Sequence, residues 1–443
     1  MGEPAGKVVI DPGIDETIKN LSSEKIEAVI KKVLDKETAA RLKVYLETCV
    51  HCGLCADACH FYLSHDRDPR YSPVGKVKQT LWEIVKRKGK VEAEFIKNCS
   101  RIAHTECNVC RRCSMYCPFG IDMAYLLLVV RRICSLLGVV PQYLQDTVNS
   151  HAVTLNQMWV KQDEWIDTLQ WQEEDARSEI PTARIPIDKE GADVFYSVIA
   201  PEPKILAQLI GNIAQIMAVA KVDWTMPSLD GWDNSNMAMF SGDFETMGRV
   251  ERAHHEAALR LKAKRIVMGE CGHAFRGAVY DGPKWLGWRE PPIPVIHAVD
   301  FYHELITTGK IKIAKKFEEP VTVQDPCNIV RGRGLGQKLR EIIAATCADF
   351  RPPDPELEHN YCCGAGGGVI NCGPLWKGSR VKGNRVKAEQ LAATGAHIII
   401  TPCHNCHSGI EDIIGGYKLG MHVKFFSEIL MHVMEIPDEL RPE

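Results

Sequence analysis

The sequence predicts an α+β multidomain chain in which a helical, cysteine-containing part precedes two α/β halves. At 443 residues the chain exceeds what one ordinary hydrophobic core contains, so two or three domains are expected. Two compact cysteine runs fall within the first third, between helical patterns. Short apolar runs bounded by proline recur in the second half, and such runs are typical of buried parallel strands. The expected segments are residues 1–40, 41–140, 141–190, 191–312 and 313–443.

Composition narrows the partners and the compartment. Charged residues make up 25% of the chain and the formal net charge is −3, which gives no electrostatic support to a nucleic-acid partner. The N-terminus has no apolar signal segment, and the most apolar stretch, Ala124 to Val130, is shorter than the ~20 residues that span a bilayer. We expect a cytoplasmic chain without a transmembrane segment, with peripheral membrane association through a partner left open. Because thiols stay reduced in the cytoplasm, the 18 cysteines favour metal ligation over disulfides.

Residues 1–40 are expected to form a helical extension that covers a neighbouring domain. From Ile18 on, apolar residues recur among alternating charges at the spacing of one helix face. These apolar residues are Ile26, Val29, Ile30, Val33 and Leu34.

Each cysteine run between residues 41 and 140 has the spacing C-x2-C-x2-C-x3-C. This spacing places three thiolates on one [4Fe–4S] cube and the fourth on the neighbouring cube. We predict two [4Fe–4S] clusters, with zinc or free thiols as the alternatives. By this crossed rule, one cluster takes Cys49, Cys52, Cys55 and Cys117, and the other takes Cys107, Cys110, Cys113 and Cys59.

Helices are predicted between and after the runs, at about Gly75–Lys88 and Ile121–Leu137. Basic residues beside a cluster offset the charge of its thiolates and raise its reduction potential. Residues 86–88 are all basic and fit either this role or a solvated helix face. For Arg111 and Arg112, which lie inside the second run, we favour the electrostatic role.

After a helical linker, residues 141–190, the two halves repeat one order of strands and loops. The second half has cysteine at five positions of this pattern, and the first half has one. We expect the first half to lack its own cluster and to enclose the site of the second. Cys271 either faces that site or is a buried structural thiol, and His273 is another candidate to face it. The first half has Glu202, Phe240, Ser241, Cys271 and Ala274 where the second has Cys327, Cys362, Cys363, Cys403 and Cys406.

Five sulfurs on three loops favour a metal cluster in the second half. Thiolates that follow parallel strands lie at the sheet edge where α/β folds build their sites. Buried structural thiols are the alternative, but they do not explain why the cysteines concentrate in loops. The predicted catalytic and metal-binding residues here are Cys327, Cys362, Cys363, Cys403 and Cys406.

The layout of these five cysteines resembles the CCG domain of heterodisulfide reductases. With the two ferredoxin-type runs, the chain is similar over about residues 40–430 to a heterodisulfide reductase D-type iron–sulfur subunit. Other similar proteins are the K subunit of the Dsr complex, the B subunit of the Tmc complex and the D subunit of class II benzoyl-CoA reductase. The separation of the runs also resembles the α-helical ferredoxin domain of fumarate-reductase-type subunits.

The resemblance implies a fold and cofactors. Residues 41–140 are then an α-helical ferredoxin domain with two [4Fe–4S] clusters, followed by a duplicated α/β CCG domain pair. Residues 191–312 are its degenerate half and residues 313–443 its cluster-bearing half. The resemblance also implies that the five cysteines hold an unusual non-cubane iron–sulfur cluster.

The resemblance further implies an electron-transferring oxidoreductase subunit of an anaerobic complex, with a flavoprotein or a membrane cytochrome b as partner. Two functions stay open. In one, the C-terminal cluster carries out thiol–disulfide chemistry. In the other, the chain is a relay module without its own substrate, which links a flavin or haem subunit to a catalytic subunit such as benzoyl-CoA reductase. A zinc-stabilised structural protein is a third alternative.

Two further motifs are weaker signals. Residues 403–407 match the C-x-x-C-H haem attachment signature, but that chemistry belongs to exported proteins. The glycines of residues 332–336 do not directly follow a strand, so they favour a flexible cover over a dinucleotide loop. The cysteines outside every pattern are predicted packing thiols: Cys99, Cys134, Cys347 and Cys372.

Overall fold

A computed structural model describes residues 11–442 of the protein. These residues form two compact units that are not continuous in sequence. The first unit combines the described residues up to Asp146 with Phe240–Asp243 and Gly364–Val386, and the second combines Thr147–Met239, Phe244–Cys363 and the chain from Lys387 onward. Residues 1–10 of the predicted extension lie outside the described residues. The boundaries of the five segments stay a prediction.

The first unit is built around the helix Met123–Leu137, which is almost wholly buried and packs against Ala93–Thr105. Asp122 caps its first turn by accepting a hydrogen bond from the Tyr125 N–H at 3.1 Å, and Gly138 ends it in the left-handed conformation. The other helices up to Asp146 are Pro12–Lys19, Ser23–Lys31, Lys32–Glu37, Ala39–Thr48, Leu54–Asp57, His60–Ser64, Pro69–Tyr71, Pro73–Val77, Lys78–Trp82, Glu83–Lys86 and Arg112–Met115.

The helical pattern begins earlier than the predicted Ile18. The Asp11 side chain accepts a hydrogen bond from the Ile14 N–H at 3.3 Å, and Pro12 occupies the first position of the helix. Both are helix-start signals that the apolar spacing alone did not reveal. The predicted helix of residues 75–88 is present as three consecutive helical stretches from Pro73 to Lys86.

The second unit contains two parallel sheets. In the first, the strand order is β2-β1-β3-β4, and in the second it is β5-β6-β7. The strands are β1 Val194–Ser197, β2 Trp224–Thr225, β3 Arg265–Met268, β4 Val295–His297, β5 Val321–Val323, β6 Ile398–Ile400 and β7 His422–Lys424. The predicted strands before Cys327 and Cys403 are therefore β5 and β6, which pair in parallel.

One hydrophobic core runs through both sheets of this unit and includes residues of β1, β3, β5 and β6. It also buries the helices Gln208–Val219 and Phe426–Val433. The further helices of this unit are Gln162–Glu179, Pro201–Ile205, Phe244–Arg260, Gly272–Arg276, Gly277–Asp281, Gly282–Leu286, Ala298–Thr307, Val330–Arg333, Gly336–Thr346, Leu357–His359, His404–Tyr417 and Asp438–Leu440.

Six helices lie at the boundaries between the two units or within the segment Gly364–Val386. Gln142–Thr154 and Arg385–Ala393 each continue from the first unit into the second. Gly364–Val386 itself carries Ile370–Cys372, Pro374–Trp376 and Lys377–Lys382, and Ala238–Ser241 precedes Gly242. Across residues 11–442, the helices Met123–Leu137 and Gln142–Thr154 meet the length and hydropathy of a membrane span only as a pair bent by 74°, and no single helix does.

Candidate functional site

Two cavities in the first unit are lined by the eight cysteines of the two runs. Met123 lines both cavities, so they are neighbours. The smaller, with about 320 Å³ of free space, is lined by Cys49, Cys52, Cys55 and Cys117. The larger, with about 410 Å³, is lined by Cys59, Cys107, Cys110 and Cys113. The structure thus groups the cysteines as the crossed rule predicts.

The donor sets fit iron–sulfur cubes. A [4Fe–4S] cube takes four thiolates, one on each of its iron corners, and each cavity presents four cysteines around a space. Within residues 11–442, no group of three or more His, Cys, Asp or Glu side chains is arranged to hold a single metal ion. Burial raises the pKa of Cys55 to about 11 and also raises that of Cys107 and Cys113. Loading these thiols with metal therefore displaces protons.

A buried lysine that the sequence analysis missed lies at the larger cavity. The Lys76 ammonium nitrogen lies 4.0 Å from the Cys59 sulfur and 4.6 Å from the centre of the Phe61 ring. It also donates a hydrogen bond to the Glu106 carbonyl. A single lysine within a helix carries no spacing signal, which is why Lys76 was not a candidate.

Of the basic residues named in the sequence analysis, Arg112 has the position that best fits the predicted role of offsetting the thiolate charge. It is buried, lines the larger cavity and donates to the Ala58 carbonyl at 2.7 Å. Arg111 lines the same cavity. Residues 86–88 are exposed, as a solvated helix face would be.

Asn108 connects the larger cavity to the glycine-rich segment that follows Cys363. Its amide nitrogen donates to the carbonyls of Gly364 and Gly366 at 2.8 and 2.9 Å. Its amide oxygen therefore faces His60, whose Nε2 lies 3.0 Å away and carries the proton of this bond. His60 stands where such runs usually have proline, and the structure gives it this positioning contact.

The glycines of this segment are required by their packing. Gly364 has φ +78°, and a Cβ added there would meet the Asn384 side chain at 1.8 Å. Gly367 has φ +66°, and a Cβ there would meet the Asn108 carbonyl oxygen at 2.3 Å. Left-handed backbone and close approach both favour glycine, which accounts for the Cys-Cys-Gly and Gly-Gly pattern.

Arg131 fastens the same segment from the central helix. It is fully buried and donates to four backbone carbonyls. These acceptors are Ala103 at 2.9 Å, Phe240 at 2.7 Å, Gly367 at 2.5 Å and Cys107 at 2.6 Å. An arginine in an apolar helix was visible in the sequence, but its acceptors were not.

In the second unit the structure joins the sulfurs of three of the five predicted cysteines. Cys362, Cys363, Cys403 and Cys406 are buried. The Cys406 thiol is hydrogen-bonded to the sulfurs of Cys363 and Cys403, which raises the pKa of Cys406 and lowers that of Cys403. Cys327 is half-buried after β5. Among the contacts of residues 11–442, none joins its sulfur to the other four.

The loop after β5 nevertheless binds the backbone that leads to Cys362. Gln324 donates to the Tyr361 carbonyl at 3.4 Å. Arg331 donates to the carbonyls of Glu358 and Asn360, both at 2.6 Å. Residues 330–333 are helical, and a flexible cover at these glycines stays a prediction.

Residues of the first half contact the turn from Cys403 to Cys406. Glu202 accepts a hydrogen bond from His404 Nε2 at 3.0 Å. His273 Nδ1 accepts from the Asn405 amide at 2.5 Å, and burial lowers the pKa of His273 to about 3, so its ring is neutral. Cys271 is buried beside Cys403, and burial raises the pKa of its thiol. Cys271 and His273, the two residues of the first half that were candidates to face the site, thus lie next to this turn.

Phe240 and Ser241 occupy a different environment. They stand where the second half has Cys362 and Cys363, but they belong to the first unit. The Ser241 carbonyl lies 3.3 Å from His104 Nε2. Gly242 follows Phe240 and Ser241 as Gly364 follows Cys362 and Cys363. It too has a positive φ, which is +97°.

Comparison with known proteins follows the same division of the chain. A family model described as a 4Fe-4S dicluster domain matches residues 45–121, and one described as a cysteine-rich domain matches residues 321–411. An Hdr-like menaquinol oxidoreductase iron-sulfur subunit 2 from Archaeoglobus fulgidus is 25% identical, over 84% of this chain and 76% of that protein. The D subunit of the dihydromethanophenazine:CoB–CoM heterodisulfide reductase from Methanosarcina mazei is 26% identical, over 90% and 96%.

The chain resembles heterodisulfide reductase D-type subunits. The resemblance read from the cysteine layout is thereby confirmed. An EtfAB:quinone oxidoreductase from Syntrophomonas wolfei is also similar, at 21% identity over 88% of this chain and 58% of that protein. The predicted cofactors are confirmed as well: two [4Fe–4S] clusters in the dicluster domain, and a further iron–sulfur cluster on the cysteine-rich domain. The individual ligands stay a prediction.

Proposed function

We propose that this chain is the iron–sulfur electron-transfer subunit of an anaerobic, heterodisulfide reductase-like oxidoreductase. The grouping of eight cysteines around two neighbouring cavities carries the proposal. Bound clusters supply one-electron carriers. The protein's own part is to hold these sites close together and to set their electrostatic surroundings.

We propose the crossed ligand sets for the two cubes, and Cys327, Cys362, Cys363, Cys403 and Cys406 for the third cluster. Three of these five, Cys363, Cys403 and Cys406, are joined through their sulfurs, which supports the set. Asn108, which follows Cys107, donates to the carbonyl of Gly364, the residue after Cys363. We also propose that the two α/β halves are a duplicated pair, since their sheets pair strands in corresponding order.

The two candidate functions differ in whether the chain acts on a substrate of its own. Reduction of a disulfide takes up two electrons and two protons and releases two thiols. In the first half, Glu202 is bonded to His404, and Phe240 and Ser241 lie in the first unit, so the positions that match a second cysteine set have other contacts. Since only the second half has the five-cysteine set, we favour a relay that delivers electrons to a separate catalytic subunit. Disulfide chemistry at the third cluster is the second candidate.

The surface beside the smaller cavity fits a redox partner subunit. Cys52 is exposed, and Val50 and Phe119, which line the cavity, are 62% and 48% exposed. Exposed apolar residues at a cluster edge are typical of a binding surface. We propose that a flavoprotein or a membrane cytochrome subunit exchanges electrons here, which would hold the chain at the membrane in the latter case.

Anaerobic purification with iron counting and EPR tests the proposal. Three clusters predict about 12 irons per chain, at four per cluster. The double substitution of Cys362 and Cys363 by Ser is expected to remove only the signal of the third cluster. A count near 8 with no third signal contradicts the third site, and loss of the cubane signals in the double variant contradicts the ligand assignment. Reduction of a small disulfide by the purified chain would favour the candidate with its own substrate.

A further inference from the structure

Lys387 is a fully buried cation in the second unit. Its ammonium donates hydrogen bonds to the side-chain oxygens of Asn360 at 3.0 Å and Gln390 at 2.7 Å. Both acceptors are neutral amides. A buried ammonium is costly unless an opposite charge lies near it, so these two bonds alone do not account for its position.

The nearest carboxylate is already engaged by another cation. Both oxygens of Asp325 accept from the Arg340 guanidinium, at 2.7 and 2.8 Å. The Leu357 N–H and the Asn360 amide donate to the same carboxylate, at 2.8 and 3.3 Å. Arg340 also pairs with Glu356 at 3.0 Å, so Asp325 shares this cation with a second carboxylate. Asp325 is the largest negative influence on Lys387, and the cysteines add to it.

The remaining negative partners are sulfurs of the candidate cluster site. Lys387 interacts electrostatically with Cys362, Cys363 and Cys406 as well as with Asp325. Asn360, which accepts its hydrogen bond, lies two positions before Cys362 in the chain. Burial lowers the pKa of Lys387 to about 8, and these negative groups act in the opposite direction. Thiolates in place of thiols strengthen that opposing effect.

We propose that Lys387 is the buried counter-cation of the third cluster, an inference that rests on the proposed function. Each added electron makes a thiolate-ligated cluster more negative. A fixed positive charge beside it therefore stabilises the reduced state and raises its reduction potential. Lys387 is a positioning residue in this role, since it sets the field at the cysteines and anchors Asn360.

Lys76 provides a matched control in the first unit. It too is a buried lysine, and its nitrogen lies 4.0 Å from the sulfur of Cys59 at the larger cavity. Its interactions are with the second cubane site. Each lysine is therefore expected to act on the potential of its own site only.

The test is an EPR-monitored redox titration of the full chain, purified anaerobically, with the variants K387M, K387R and K76M. At the wild-type midpoint potential of the third cluster, K387M is expected to lower the ratio of reduced to oxidised cluster about tenfold, equivalent to about 59 mV for one electron. K387R keeps the charge and is expected to stay near wild type. K76M is expected to shift the second cubane and leave the third cluster unchanged.

An unchanged midpoint of the third cluster in K387M, at wild-type iron content, overturns the inference. Loss of this cluster from K387M with retention in K387R supports it, because the charge is then what the site requires. Loss from both variants overturns it, since side-chain shape is then decisive. A wild-type chain with about 8 irons and no third signal refutes the proposed third site itself, and the inference with it.

Discussion

Asn108 donates a hydrogen bond of 2.8 Å to the carbonyl oxygen of Gly364, and these two residues directly follow Cys107 and Cys363 in the chain. Two stretches that are far apart in sequence, each beginning beside a predicted ligand, are thereby fixed to each other within the first unit. The contact is buried and also includes Gly366 and His60.

Replacing Asn108 with Ala is expected to destabilise the first unit by about 2–4 kcal/mol, because two buried carbonyls lose their donors. The measurement is thermal unfolding of the iron-loaded chain under anaerobic conditions. Asn98→Ala is the control, since Asn98 accepts one bond from the partly exposed Arg101. Equal midpoints for the two variants would mean that Asn108 does not fasten the segment.

The crossed grouping makes opposite predictions for Cys59 and Cys117. Cys59→Ala is expected to damage the cluster site formed with Cys107, Cys110 and Cys113, although Cys59 belongs to the first run. Cys117→Ala is expected to damage the other site. EPR of each variant distinguishes the two cubanes, and Cys99→Ala, which alters a fully buried packing thiol, serves as the control. The crossed grouping would be refuted if each variant damaged the cluster site formed by the other three cysteines of its own run.

Cys271 lies beside Cys403 but belongs to the other half of the second unit. We expect Cys271→Ala to keep the iron content and the third-cluster signal, whereas Cys403→Ala loses that signal. Iron counting and EPR on both variants measure the difference. If Cys271→Ala also lost the signal, the first half would contribute a sulfur ligand and the five-cysteine set would be incomplete.

Two buried carboxyls make stability depend on pH. Burial raises the pKa of Glu251 to about 8 and that of Glu270 to about 7, from a usual value of 4.5. Between 4.5 and these values the folded chain holds protons that the unfolded chain has lost. The free energy of unfolding therefore falls as pH rises, by at most roughly 1.4 kcal/mol per pH unit for each group.

Unfolding of the wild type and of the variants is measured from pH 5 to pH 8, and the loss is read from the difference between them. This comparison is needed because buried histidines with lowered pKa values, such as His254 and His297, make stability rise with pH below about 6.5. Glu251→Gln is expected to remove most of the slope that the two carboxyls contribute between pH 7 and 8, where Glu270 is already more than half ionised. Glu270→Gln is expected to flatten the curve mainly below pH 7. The same pH dependence in the wild type and in both variants would show that the two groups are ionised in the folded chain.

Phe119→Glu is expected to weaken binding of the redox partner, because it places a charge on the exposed apolar edge of the smaller cavity. Co-purification of the native complex measures binding, and reduction by dithionite verifies that the clusters are intact. Val153→Glu is the control, since Val153 is a 70% exposed apolar residue elsewhere. Equal loss of the complex in both variants would argue against a partner surface at Phe119.

Local patterns allowed much of this architecture to be predicted. The spacing of Cys49 to Cys59 specifies a cluster loop, and the apolar run before Cys403 specifies a buried strand, since both signals lie within a few residues. Lys76, Asn108 and Lys387 were missed because their roles depend on partners far away in sequence. Nothing in the residues around Lys387 distinguishes it from a lysine on a solvated helix.

The contacts of the first half with the turn from Cys403 to Cys406 are ones that no sequence motif predicts. Glu202 stands where the second half has Cys327, and its bond to His404 is visible only once both sheets are folded. The return of Gly364–Val386 to the first unit was equally invisible, because helical periodicity says nothing about which core a helix joins.

That return has a consequence for how the protein is made. The acceptors of Asn108 and Arg131 in Gly364, Gly366 and Gly367 leave the ribosome long after the cysteine runs have emerged. The N-terminal unit therefore cannot complete its fold during synthesis of its own cysteines, and contacts of such large sequence separation form slowly. We expect a fragment ending at Asp146 to lose iron readily, and iron delivery in the cell to finish only after the C-terminal half has been translated.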